Sequence, residues 1–248
     1  MSQFRPKSII KSVVSMALAA QVLTACGAGS STTGGSNLAG TDNPPLRPGE
    51  FRRISNVVSD ASSTLAILAP SVPSELLRQA RCIAAIRTVQ AGFIFGGTGG
   101  DGMATCRLPE GTWSAPTFLS VGGASVGLQI GGGVVESLLL FMNDAGVRSL
   151  ESSQMTLGAG IGAMVGPLSG GHGAGVSQNA NIFAYTRGVG LQARLAVDGT
   201  VIAHDVNRNF KVFNHLGVQT AHDILATQGA LTPNIASPFI DAVSRVAP

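Results

Sequence analysis

The sequence predicts an α+β domain: a strand-rich, mainly antiparallel, glycine-rich sheet or barrel-like core with flanking N- and C-terminal helices. Three observations support this fold class. Only 12% of the 248 residues are charged, whereas 33 are glycine. The stretch from Thr112 to Val135 carries no formal charge and mixes β-prone residues with glycines, as close backbone contacts in a sheet require. Helical spacing of apolar residues is clearest towards the two ends of the chain.

The segment around the single tryptophan, Trp113, is the expected centre of the core. An indole ring buries a large apolar area, and its N–H group needs a hydrogen-bond partner when it is buried. Trp113 lies in Thr112–Phe118, which we predict to be a strand, after a turn at Pro109-Glu110-Gly111.

The first 25 residues have the pattern of a secretory signal peptide. Three basic residues precede an apolar run over residues 12–23, which is too short to cross a membrane. Leu-Thr-Ala-Cys26 followed by Gly27 resembles the bacterial lipobox, in which Cys26 carries the lipid anchor. The alternative is an ordinary signal peptide that contains a cysteine. By the lipobox rule, Gly27 favours an outer-membrane destination in the cell envelope over the inner membrane.

Charge and cysteine content narrow the possible partners. Three of the 16 basic residues but none of the 13 acidic ones precede Cys26, so the processed chain would be formally neutral. We therefore expect no nucleic-acid binding, which depends on a basic surface.

Two cysteines remain after Cys26, namely Cys82 and Cys106. They are either a disulfide formed in an oxidising compartment or two buried thiols.

Four segments are expected along the chain: the signal peptide (1–25), the lipidated cysteine with a flexible linker (26–50), the folded domain (51–213) and a C-terminal helical extension (214–248). Apolar spacing predicts a helix over Phe51–Leu68 and a short helix after Pro73. Val134–Met142 is a mainly apolar run, and its periodicity does not decide between helix and strand. Asp198-Gly199 indicates a hairpin.

Three patterns could indicate catalysis or cofactor binding, and each has a simpler interpretation. Gly97–Gly102 matches a dinucleotide-binding loop but lacks the helix that should follow, so we predict a glycine hairpin. Gly123-Ala-Ser125-Val-Gly127 matches a hydrolase nucleophile elbow but lacks the alternation of strands and helices that this fold requires. His204-Asp205 and His222-Asp223 lack the spacing of a metal site. We therefore predict no catalytic residue, metal, cofactor or small-molecule substrate.

Several motifs together resemble the SYLF lipid-binding domain over about residues 55–213. The most specific is Arg107-Leu-Pro-Glu-Gly-Thr-Trp-Ser-Ala-Pro116. Further matches follow in order, including Gly127-Leu-Gln-Ile-Gly131, Val165-Gly-Pro167, Tyr185-Thr-Arg187, Asp198-Gly-Thr200 and Asn207…Phe210.

The resemblance implies a non-enzymatic protein that binds membranes through anionic lipids, and some members of the family also bind actin. Two departures weaken any specificity for phosphoinositides. The basic residue that the family places after Gly-Pro is missing from Gly166-Pro-Leu-Ser-Gly170. The block Tyr185-Thr-Arg-Gly-Val-Gly-Leu-Gln192 lacks one cation and one aromatic residue of the family pattern.

We expect the anionic phospholipid head groups to be bound by basic residues of the N-terminal helical region, namely Arg52, Arg53, Arg78 and Arg81. Cations beside apolar side chains on a helix suit a membrane interface. The alternatives are a solvated helix face without a ligand, a serine hydrolase that uses Ser125, and a structural envelope protein that binds protein partners.

Overall fold

The computed structural model describes residues 46–92, 95–126, 131–157, 163–165, 181–188, 200–218 and 220–248. The helices in these residues are α1 (Pro48–Leu68), α2 (Ser74–Gln79), α3 (Asp144–Glu151), α4 (Val206–Phe213), α5 (Ala221–Ala226) and α6 (Ser237–Val246). The strands are β1 (Cys82–Gly92), β2 (Phe95–Cys106), β3 (Thr117–Val126), β4 (Gly131–Phe141), β5 (Gln154–Thr156), β6 (Ala163–Val165), β7 (Ile182–Gly188) and β8 (Val201–His204).

The described strands form one curled sheet in the order β5-β8-β3-β2-β1-β4-β7-β6. All neighbours are antiparallel except β6 and β7, which run parallel. The longest ladders join β1 to β2 and β4, and β2 to β3, at the centre of the sheet. The predicted α+β class with a mainly antiparallel sheet and flanking helices is confirmed.

Both faces of the sheet bury apolar side chains, because successive residues of a strand point to opposite faces. In β1, Ile83 and Ala85 join a core that includes the buried faces of α1 and α6, whereas Ala84 and Ile86 join a second core with Leu150 of α3. Two-sided burial explains the apolar run Leu138–Phe141 at the end of β4, since neither face needs polar residues there. The helix-or-strand ambiguity over Val134–Met142 is therefore resolved as a strand ending at Phe141.

The hairpin predicted at Gly97–Gly102 is wrong, because these residues lie inside β2. A Cβ atom at Gly102 would lie 2.6 Å from the carbonyl oxygen of Ala85 on β1, and one at Gly100 would overlap the carbonyl oxygen of Arg87. These two glycines therefore allow β1 and β2 to approach closely, which is a role that glycine also has within strands.

The predicted strand Thr112–Phe118 is also wrong for most of its length, since β3 begins only at Thr117. Before it, Trp113 and Ser114 form isolated bridges to residues of other segments. The predicted turn is present: the Gly111 N–H donates to the Leu108 carbonyl oxygen at 2.9 Å, and Gly111 has a φ of 85°. Pro116 lacks an N–H group for a ladder, which is consistent with the late start of the strand.

Further observations concern individual helices and a hairpin. Asn143 is the N-cap of α3, and its Oδ1 atom accepts from the Gly146 N–H at 3.0 Å. The helices over Phe51–Leu68 and after Pro73 correspond to α1 and α2. The predicted hairpin at Asp198-Gly199 lies outside the described residues.

The C-terminal residues pack into the first core. Phe239, Ala242 and Val243 of α6 are buried there together with the apolar face of α1. The predicted extension (214–248) therefore shares its core with the segment before it.

Candidate functional site

The first turns of α1 carry Arg52 and Arg53, two of the four basic residues expected to bind lipid. Pro48 occupies the first helical position, where its missing N–H group costs no hydrogen bond. Arg52 and Arg53 are exposed and form no ion pair with another described residue. Phe51 precedes them and is 51% exposed. Two solvated cations and an exposed aromatic side chain thus lie in succession on one helical turn.

Glu50 is the carboxylate nearest to these cations in the sequence, and it is already engaged. It accepts hydrogen bonds from the side chains of Arg47 (3.0 Å) and Lys211 (2.7 Å). These contacts, chiefly the one with Arg47, hold the pKa of the Glu50 carboxyl well below its usual range. Glu50 therefore stays ionised and links the start of α1 to α4.

The helix α4, which was not predicted from the sequence, adds apolar residues to this region. Val206 and Phe210 are 68% and 50% exposed, and their i, i+4 spacing places them next to each other on the helix. Asp205 begins the helix by accepting from the Arg208 N–H at 2.8 Å. This N-cap residue is the signal that could have revealed α4, because Asp is a preferred N-cap residue.

The other two selected cations, Arg78 and Arg81, are paired with carboxylates. Arg78 contacts Glu75 within α2, and Arg81 contacts Asp144 at the start of α3. The 15 residues that follow Arg53 in α1 add about 22 Å to the helix, whereas the six residues of α2 span only about 9 Å. The structure therefore does not bring the four arginines into one cluster, although the expected role of each in lipid binding stays a prediction.

The tryptophan motif serves as a structural joint. Trp113 is 5% exposed, and its Nε1–H donates to the Ala247 carbonyl oxygen at 2.8 Å. The Arg107 guanidinium lies 4.4 Å from the centre of the indole ring and also donates to the Ala247 carbonyl oxygen, at 3.1 Å. The two residues thereby hold the C-terminal segment against the turn at Gly111.

A disulfide bond joins Cys82 to Cys106. These residues are directly opposite each other at the ends of β1 and β2. Both are buried, at 0% and 7% exposure. The bond therefore closes the open end of the β1–β2 ladder inside the second core.

Ser125 lies within a continuous strand. Its backbone belongs to β3 and pairs with Gly96 of β2. A nucleophile elbow places its serine on a sharp turn between a strand and a helix, and β3 continues past Ser125 to Val126. The local backbone therefore lacks the geometry of the hydrolase alternative.

His204 belongs to a polar network that is fully partnered. Its Nε2 atom lies 2.6 Å from the Leu150 carbonyl oxygen, which can only accept, so Nε2 carries the proton. Its Nδ1 atom, 3.2 Å from the Thr117 hydroxyl, then accepts from that group. The Thr117 oxygen in turn accepts from the Asn209 amide at 2.9 Å. His204 thus fastens β8 to α3 and, through Thr117, to α4.

This network predicts a pH dependence of stability. Burial lowers the pKa of His204 below its ordinary value of 6.5. Protonation therefore favours the unfolded chain, and the free energy of unfolding should fall as the pH drops below about 6.5. Denaturant midpoints at pH 7.5 and 5.5 measure the fall, which should be smaller in His204→Gln. His222→Gln is the control, because that side chain is 67% exposed; equal pH dependence in both variants would contradict the assignment.

The described part of the chain contains no cluster of three or more His, Cys, Asp or Glu side chains able to hold a metal ion. Its helices include none that is long and apolar enough to span a bilayer. Taken with the geometry above, the described residues define a helix-flanked, curled-sheet domain with a basic and apolar surface where α1 begins and α4 lies.

Comparison with known proteins identifies the family. The model of the Ysc84 family, described as "Las17-binding protein actin regulator", matches residues 122–246, half of the chain, and the chain belongs to this family. The Ysc84 and SYLF families are the same, so the SYLF membership predicted from the sequence motifs is confirmed. The match extends through α6, in agreement with the packing of that helix in the common core.

Curated relatives come from fungi and mammals. LAS seventeen-binding protein 3 of Saccharomyces cerevisiae is 33% identical over 182 residues, which cover 71% of this chain and 38% of the yeast protein. SH3 domain-containing YSC84-like protein 1 of Rattus norvegicus is 30% identical over 144 residues, covering 56% of this chain and 42% of the rat protein. The chain thus spans about two fifths of the length of such relatives. No solved structure gives a significant match.

Proposed function

We propose that this chain is a non-enzymatic lipoprotein of the bacterial cell envelope whose folded domain binds anionic lipid surfaces through the start of α1. The observation that carries the proposal is the pair Arg52 and Arg53, exposed and without ion pairs to other described residues, directly after the exposed Phe51. Cations beside an apolar side chain on a helix favour an interface with anionic lipid.

Local charge is essential to this proposal, because the processed chain would carry no net charge. A neutral protein gains no long-range attraction to a charged surface from its net charge, so a local excess of cations has to supply it. Arg78 and Arg81 contribute less to such an excess, since Glu75 and Asp144 lie against them. The lipid-binding role is therefore concentrated on Arg52 and Arg53.

We expect Arg52→Gln/Arg53→Gln to weaken binding to anionic vesicles about thirty-fold, since each arginine near an anionic surface contributes about 1 kcal/mol. The measurement is co-sedimentation of residues 46–248, after a cooperative thermal transition has shown that they are folded. Phosphatidylglycerol-containing and pure phosphatidylcholine vesicles are compared at low and high salt. Salt should weaken the binding of the unmodified chain to the anionic vesicles.

The matched control is Arg148→Gln/Arg245→Gln, which removes two exposed arginines from α3 and α6. It changes the net charge equally but leaves α1 intact, so its binding should stay close to that of the unmodified chain. Equal weakening by both double variants would show that total charge matters and that α1 has no special role. Binding that ignores head-group charge and salt would overturn the proposal.

The envelope location rests on the lipobox-like Cys26 and is supported by the buried Cys82–Cys106 disulfide, since such bonds persist in oxidising compartments. Cys26→Ser should abolish metabolic labelling with a fatty acid and release the protein from the membrane fraction or leave it unprocessed. Cys82→Ser/Cys106→Ser is the control that should keep the label. A Cys26→Ser protein that is still labelled would contradict the anchor.

A protein partner is the second candidate function, and the family description favours it. That description names a Las17-binding actin regulator, and the yeast relative is named for binding LAS seventeen. If the folded chain binds neither kind of vesicle in the co-sedimentation experiment, that result would favour a protein partner over a lipid surface.

A further inference from the structure

We propose that α4 enters the membrane: Val206 and Phe210 insert into the boundary between head groups and acyl chains of an anionic phospholipid bilayer. The inference rests on the proposed lipid-surface function and adds a second contact, apolar and far from α1 in the sequence. Its occupant is a bilayer rather than a soluble ligand or a protein.

The exposed apolar side chains are unevenly distributed over the described residues. Eight large hydrophobic side chains are exposed, and four of them belong to the start of α1, to α4 or to the 3₁₀ turn after it. Those four are Phe51, Val206, Phe210 and Leu216. Single exposed apolar residues are normal on a soluble protein, whereas a group of them marks an interaction surface.

The protein core holds α4 firmly, so its exposed side chains have a fixed presentation. Phe213 and Val212 are buried in the first core, and the Phe213 ring lies 6.4 Å from that of Phe118. The Asn209 Oδ1 atom accepts from the Phe118 N–H at 2.8 Å. One side of the helix is fixed to β3, and Val206 and Phe210 remain exposed to solvent. A pre-formed helix can insert apolar side chains without the cost of folding at the membrane.

Charge around α4 is complementary to an anionic surface. Arg208 is neutralised by Asp101 and Asp205. Lys211 shares Glu50 with Arg47, and Arg52 and Arg53 follow in α1. Among the described residues, Arg47 and the four cations of α1's first turns and α4 outnumber the three carboxylates that they contact. This local excess of positive charge suits an anionic lipid surface and disfavours a basic partner.

Insertion and charge attraction have different signatures. Cationic attraction brings the surface to the head groups and weakens with salt, whereas inserted apolar side chains lie about 5–10 Å inside and respond to acyl-chain packing. A tryptophan at position 210 therefore tests directly whether this side of α4 enters the bilayer.

The experiment uses the full chain on vesicles of phosphatidylglycerol and phosphatidylcholine, with Phe210→Trp as an environmental probe. Trp113 is buried and supplies a constant background. The added tryptophan emission should shift to shorter wavelength on anionic vesicles and fall about twofold when the acyl chains are brominated, as expected about 5–10 Å below the surface. Val206→Ser/Phe210→Ser should reduce the fraction of residues 200–220 protected from protease on vesicles.

Leu231→Trp is the matched control, because Leu231 is 57% exposed but lies outside α4 and the start of α1. Its emission should remain that of a tryptophan in water on the same vesicles. A membrane-bound chain in which Phe210→Trp stays unquenched, or in which both probes are quenched equally, overturns insertion by α4 and leaves the proposed function standing. A chain whose emission is the same on anionic and neutral vesicles, with Arg52→Gln/Arg53→Gln binding normally, overturns the proposed function itself.

Discussion

Trp113→Ala is expected to lower the free energy of unfolding by about 3–5 kcal/mol, the usual cost of deleting a buried large aromatic side chain. Trp113 is 5% exposed and in the first core. The substitution also removes the N–H donor to Ala247 and the ring beneath the Arg107 guanidinium. Because domains of this size are stable by only about 5–15 kcal/mol, the variant should be near the limit of folding. Denaturant midpoints measure the loss.

The control is Trp113→Phe, which retains an aromatic ring but loses the hydrogen bond to the Ala247 carbonyl oxygen. Its cost from that bond should be about 1 kcal/mol, since Arg107 still donates to the same oxygen. Limited proteolysis should cut the C-terminal segment faster in Trp113→Ala than in Trp113→Phe. An unchanged midpoint in Trp113→Ala would show that the indole does not hold the core together.

The class of the fold could be predicted from the sequence because helices and strands leave different periodicities. The apolar stripe from Ile54 to Leu68 is buried as expected in α1. Strand boundaries were harder, since both faces of the sheet are buried and the apolar run in β4 therefore lacks alternation. Glycine was ambiguous for a similar reason: Gly100 and Gly102 allow close strand packing rather than a turn.

The candidate site was only partly accessible to sequence reasoning. Arg52 and Arg53 could be selected because they flank an amphipathic stripe. The partner of Arg81, however, is Asp144, 63 residues further along the chain, and no local pattern encodes such a contact. Likewise, the apolar contribution of Phe210 depends on α4, a helix of only eight residues. So short a segment has weak periodicity, and its N-cap residue is the main local signal.

Loss of the disulfide bond between Cys82 and Cys106 is expected to cost about 3 kcal/mol of stability. The bond links residues 24 positions apart at the ends of two paired strands. In the chain-entropy model, removing it leaves the unfolded chain freer and hence more favourable. Because both cysteines are buried, alanine at both positions preserves apolar packing better than a polar replacement. Thermal and denaturant unfolding of Cys82→Ala/Cys106→Ala should therefore show a lower midpoint.

Reduction of the unmodified chain provides an independent measure of the same bond. A thiol reductant should lower its denaturant midpoint towards that of Cys82→Ala/Cys106→Ala, and should leave the midpoint of the double variant unchanged. Cys26→Ser is the control, since loss of that cysteine should not alter the response to reductant. If reduction fails to lower the midpoint although mass spectrometry shows both thiols free, the bond does not stabilise the sheet.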